Sequence, residues 1–174
     1  MNTVIKRMLA VLMSGCCTLA AYAVDTSITV NGKVIASACQ TGVGAVYNID
    51  LGQNHKESDL ASAGSATGYV AQDVVLSNCP GGTNTIKAAF SGTADSLNPT
   101  MYANKNGTGY ATGVAVQLQN AIASTDVGNL ATMSVNKNVS NQAIFPLRAR
   151  LYSKNGGAKT GAVEVSVIMN LTYN

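Results

Sequence analysis

Gly161-Ala-Val-Glu-Val-Ser-Val-Ile-Met-Asn-Leu-Thr-Tyr-Asn174 is the stretch that decides the fold. Val163, Val165, Val167, Met169, Leu171 and Tyr173 fall on one face of an extended chain. Ala162, Glu164, Ser166, Ile168, Asn170 and Thr172 fall on the other. A period of two is the pattern of a strand with one face buried. A second alternation stands near the front, where Thr26, Ile28, Val30, Gly32, Val34 and Ala36 oppose Asp25, Ser27, Thr29, Asn31 and Lys33. This front strand precedes Cys39 and is expected to hang free of the domain. The back strand runs to Asn174 and is expected to leave its outer edge bare. A spare strand in front and a bare edge behind invite assembly by strand exchange.

The chain opens like a secretory leader: Lys6 and Arg7, an apolar run over residues 8–20, then Ala21-Tyr22-Ala23 as a small-x-small cleavage site. The run is too short to span a bilayer as a helix. Cleavage after Ala23 leaves 151 of the 174 residues, enough for one domain. Leu12-Met13-Ser14-Gly15-Cys16 offers a competing lipoprotein-like box, matched poorly at Met13. Removing the leader takes two of the eleven basic residues and none of the eight acidic ones, so the net charge falls to +1. With no Lys/Arg cluster, nucleic acid is not an expected partner.

Two cysteines remain, Cys39 and Cys79, and in a secreted chain such a pair reads as one disulfide. A redox or metal pair would need close spacing or histidines, and neither is present. The single histidine, His55, lies in a polar segment, and the eight carboxylates are scattered. One histidine in a polar segment gives no sign of a Ser-His-Asp arrangement and no familiar zinc site, and the Asp/Asn-rich loops lack the alternating ligand spacing of a calcium loop. No enzyme, metal or cofactor is implied.

Ala, Val, Thr, Ser, Asn and Gly dominate, which suits strands joined by polar turns. Strands are expected at residues 46–51, 69–79, 85–91, 113–119, 132–135, 143–152 and 163–173. Residues 55–68 read as a loop with a short helical turn. Pro146 is placed at a sheet edge or bulge, and residues 104–109 in a surface loop. The whole reads as an all-β sandwich. In the front arm, Asn31-Gly32 is open to two readings. It is either a hairpin turn or a continuous strand whose Gly32 meets a narrow part of a groove.

Several segments together resemble one known family: Ile28-Thr-Val-Asn-Gly-Lys-Val34, Leu76-Ser-Asn-Cys-Pro80, Phe90-Ser-Gly-Thr-Ala-Asp95, Phe145-Pro-Leu-Arg148 and the terminal strand. The penultimate residue is the aromatic Tyr173, and Gly161 stands fourteenth from the end. The chain resembles bacterial chaperone–usher pilins, and in particular the small tip adaptor subunits of type 1 fimbriae. That resemblance implies an incomplete immunoglobulin-like sandwich lacking its last strand, with an N-terminal donor-strand extension. It divides the chain into a signal peptide (1–23), a donor arm (24–36) and a pilin domain (37–174). Ile28, Val30, Gly32 and Val34 would be the donated residues, which favours the continuous strand over the hairpin. Gly161, Val163, Val165, Val167, Met169, Leu171 and Tyr173 would form a groove wall that meets a periplasmic chaperone. An outer-membrane usher and neighbouring fimbrial subunits are the other implied partners. A major shaft pilin is the alternative within the family. A self-contained secreted carbohydrate-binding sandwich is the alternative outside it.

Overall fold

The computed structural model describes residues 31, 33, 37–41 and 46–174. The chain divides into two compact units, Met1–Lys33 and Val34–Asn174. In the first, Asn31 and Lys33 are described and both are exposed. Ile28, Val30, Gly32 and Val34 lie outside the described residues.

The second unit is a two-sheet sandwich. Its strands are β1 (Gln40–Thr41), β2 (Ser65–Ala66), β3 (Val70–Ser77), β4 (Thr85–Gly92) and β5 (Tyr102–Ala103). They continue with β6 (Ala115–Asn120), β7 (Thr132–Asn136), β8 (Ala143–Ser153) and β9 (Val167–Tyr173). One antiparallel sheet runs β1-β3-β8-β6-β5, with β2 paired to the end of β8. The other runs β7-β4-β9. Alternation builds the core between them: Leu76 from β3, Ile86 and Phe90 from β4, Tyr102 from β5 and Phe145 from β8 are all sealed from solvent. Burying each large apolar side chain contributes about 1.5–3 kcal/mol. The Cys39–Cys79 disulfide fastens the start of the unit beside the end of β3. Next to it, the buried Thr83 hydroxyl donates to Ser37 O at 2.8 Å.

Four expectations need correction. Residues 46–51 form no ladder. Ile49 and Leu51 rest half-buried against the core, but alternation fixes only which side chains face inward, not whether a strand lies alongside. Pro146 is at neither an edge nor a bulge: β8 lies between β3 and β6. The β6 pairing stops at Leu147↔Asn120, and the chain then turns so that Ala121 N donates to Pro146 O at 2.8 Å. The missing proline N–H therefore falls where its neighbouring strand has just ended. The final strand joins its ladder at Val167, four residues later than its alternation begins. The stretch read as a surface loop is one over residues 105–109, all exposed, and needs correction only at Asn104, which is buried. The expected helical turn is a single 3-10 turn, Glu57–Leu60.

Candidate functional site

β9 is bonded to β4 along one side, in the register Ile86↔Tyr173 through Gly92↔Val167. In an antiparallel ladder, alternate residues turn both main-chain groups to the same neighbour. Asn174 and Thr85 exchange both bonds, Asn174 N to Thr85 O at 2.9 Å and Thr85 N to Asn174 O at 3.0 Å. The even residues of β9 therefore bond to β4. The odd ones, Val167, Met169, Leu171 and Tyr173, turn their N–H and C=O to the opposite side. Among the described residues no strand lies there.

The same odd residues carry the inward-facing side chains, and these are only half-buried. On β4, which has a partner on each side, Ile86, Ala88 and Phe90 are sealed. The difference is a groove of about 750 Å³ cut into the sandwich beside β9. Gly161, Val163, Val165, Val167, Met169 and Leu171 line one wall. Tyr47 to Gln53 line much of the facing wall, and core side chains such as Phe90, Leu118 and Leu147 form the floor. Ten residues of extended chain at about 3.3 Å each make the first wall roughly 30 Å long. Such a trough suits an extended chain better than a compact small molecule.

All the sequence-predicted wall residues except Tyr173 line this groove. Tyr173 packs half-buried against the core opposite Ile86, and burial raises its hydroxyl pKa. Gly161 has φ +152°, and a Cβ there would lie 2.3 Å from Ala111 N. The chain crosses the Tyr110–Ala111 backbone too closely for any side chain. His55 Nε2 lies 2.7 Å from Leu51 O on the groove rim. Among the described residues no three His, Cys, Asp or Glu side chains converge to hold a metal ion.

Two contributors escaped sequence reasoning. Tyr102 is fully buried on the groove floor, and among the described residues its hydroxyl has no hydrogen-bond partner. Desolvation pushes its pKa up to about 12. Asn104 holds the upstream wall, Ala162 to Glu164, by its side-chain amide. A polar run of Asn, Lys and Gly reads as a turn, and nothing in it signals a buried amide.

The Fimbrial protein family profile matches residues 28–174. Protein FimG of Escherichia coli K12 is 37% identical over 153 residues, covering 87% of each chain. The S-fimbrial adhesin protein SfaS of Escherichia coli O6:K15:H31 is 37% identical over 168 residues, covering 95% of each. The P pilus rod subunit PapA superposes with TM-score 0.65 at 24% identity, over 79% of this chain and all of that one. A subunit from a structure of a chaperone–usher pilus superposes with TM-score 0.64, also at 24% identity, over 86% of this chain and 96% of that one. With its open-edged sandwich and a family match that begins at Ile28, the chain belongs to the fimbrial protein family and has the fold of chaperone–usher pilus subunits.

Proposed function

We propose that this fimbrial subunit polymerises by strand exchange. Its groove takes an extended strand from one neighbour, and its own arm, residues 24–36, enters the groove of another. The observation that carries the reading is β9 itself: inward aliphatic side chains half uncovered, and main-chain groups along the same edge that meet no strand among the described residues. An inserted strand would satisfy both at once. On the arm, Ile28, Val30 and Val34 supply the apolar surface and Gly32 the narrow point. A periplasmic chaperone would cover the groove before assembly, and an outer-membrane usher would exchange it for the next arm. The leader at residues 1–23 would deliver the chain to that route. Among the described residues no helix is long and apolar enough to cross a membrane.

Within the fibre we place the subunit as a tip adaptor between adhesin and shaft. The 37% identity to FimG over 87% of each chain supports this. Immunogold labelling of fibres carrying an epitope-tagged copy tests the placement. Label confined to fibre ends is the expected result, and label along the shaft would make the chain a major pilin.

A further inference from the structure

We infer that Asn104 is a positioning residue that extends the strand-accepting edge of the groove beyond the end of β9. The inference rests on the strand-exchange reading and deepens it.

β4 supports the terminal strand only from Val167 onward. Upstream, residues 163–166 belong to no ladder, yet Val163 and Val165 line the groove as Val167 and Met169 do. An unsupported stretch would not hold that course, because its main-chain groups need partners. The loop after β5 supplies them. Asn104 is buried, and its Nδ2 donates to Ala111 O at 2.8 Å and to Ala162 O at 3.0 Å. Its Oδ1 accepts from Glu164 N at 2.7 Å. Gly109 O and Ala111 N complete Ala162, at 2.7 and 2.9 Å, and Lys105 N reaches Glu164 O at 3.2 Å.

The side-chain amide thus presents one acceptor to Glu164 N and one donor to Ala162 O where a neighbouring strand would present C=O and N–H, while its second donor ties it to Ala111 O. The partners fix its orientation, since two carbonyl oxygens require the NH2 and one N–H requires the oxygen. Aspartate has the same shape without the donors, and leucine has neither group.

The parity of these bonds gives the clamp its function. Ala162 and Glu164 face the loop, in phase with the even residues that face β4. Val163 and Val165 consequently turn N–H and C=O to the open side, in line with Val167, Met169, Leu171 and Tyr173. β9 alone offers four free positions, the number of arm residues from Ile28 to Val34 in steps of two. The clamped segment adds two more, giving an inserted strand pairing length at the Gly161 end. Outside the groove, Glu164 is held by the Lys105 Nζ ion pair and by the Tyr110 hydroxyl at 3.2 Å. Those contacts anchor the outward side chain, whereas Asn104 holds the main chain.

The test uses the mature chain, residues 24–174, with a synthetic peptide of residues 24–36 in excess, and reads amide hydrogen exchange residue by residue. In the wild type the peptide should protect Val163 and Val165 along with Val167, Met169 and Leu171. In Asn104→Ala, which removes all three side-chain bonds, protection at Val163 and Val165 should fall by at least about tenfold, the scale of one net hydrogen bond against local opening. Protection at Met169 and Leu171 should stay within about twofold. Asn104→Asp keeps the acceptor for Glu164 N but sets its second carboxylate oxygen against the carbonyls of Ala111 and Ala162, so its loss should be at least as large as that of Asn104→Ala. Equal protection at all five amides in Asn104→Ala would overturn the inference. So would loss of the far-ultraviolet β spectrum in both variants, which would make Asn104 a requirement of the whole fold. If the peptide protects none of these amides even in the wild type, strand exchange itself fails and the clamp's role falls with it.

Discussion

Gly92 lies against the ring of Tyr102: a Cβ at residue 92 would meet Tyr102 Cε1 at 2.8 Å and Cδ1 at 2.9 Å, with Ser166 O at 3.0 Å. Gly92 ends β4 opposite Val167, where β9 begins. The bare α-carbon therefore lets the buried ring fit under the point at which the groove wall joins its ladder. Gly92→Ala should displace the ring or the wall and cost about 1–3 kcal/mol, as overpacking does. Chemical denaturation measures the loss. Peptide 24–36 should also bind more weakly to this variant, because the wall shifts with the ring.

Tyr102 sets a limit on alkaline stability. Burial without a hydrogen-bond partner raises its pKa to about 12, against an ordinary value near 10. The folded state holds the proton more tightly than the unfolded state. Its contribution is therefore complete below pH 10 and lost as pH rises toward 12, at up to about 1.4 kcal/mol per pH unit. Tyr102→Phe removes that titration. Its stability should match the wild type within about 1 kcal/mol at pH 7, and it should lack the wild type's extra decline above pH 10. Paired urea titrations at several pH values give the difference directly.

Leu171 offers a test of what the groove lacks. It is half-buried now and would be covered by an inserted strand. Leu171→Ala should cost about 1 kcal/mol in the open domain and about 2–4 kcal/mol once peptide 24–36 is bound. An equal cost in both states would mean that the peptide does not cover Leu171.

The Cys39–Cys79 bridge closes a separation of 40 residues. On the chain-entropy account, a loop of that size constrains the unfolded state by roughly 4 kcal/mol. A Cys39→Ala/Cys79→Ala double variant should lose about that much stability. Most of the loss should appear as a lower denaturation midpoint, with the strands intact by far-ultraviolet circular dichroism.

Much of this architecture is legible in the residues. β3, β4, β6, β7 and β8 stand within two residues of where alternation and turn residues put them, because burying one face of a strand leaves a local mark. The disulfide was legible from the leader-like start and the two cysteines that follow it. The terminal wall was legible as a face but not as a ladder: alternation runs from Val163, whereas strand pairing begins at Val167. What lies beside a strand is a tertiary fact. For that reason residues 46–51 were misread as a strand and Pro146 as an edge residue. The clamp at Asn104 and the partnerless hydroxyl of Tyr102 left no trace, since each depends on groups far away in the chain. Asn104, for example, bonds to residues seven, 58 and 60 positions distant.

By this reading the sandwich lacks a strand, and the chain's own arm has the chemistry to supply one. The most direct measurement is thermal unfolding of residues 37–174, alone and with residues 24–36 appended after Asn174 through a flexible linker. Covering the groove should add several kcal/mol, each worth about 2–4 °C at this size, so the appended form should melt on the order of 10 °C higher or more. Equal and high melting temperatures would contradict the account, because a domain that gains nothing from the arm is already complete.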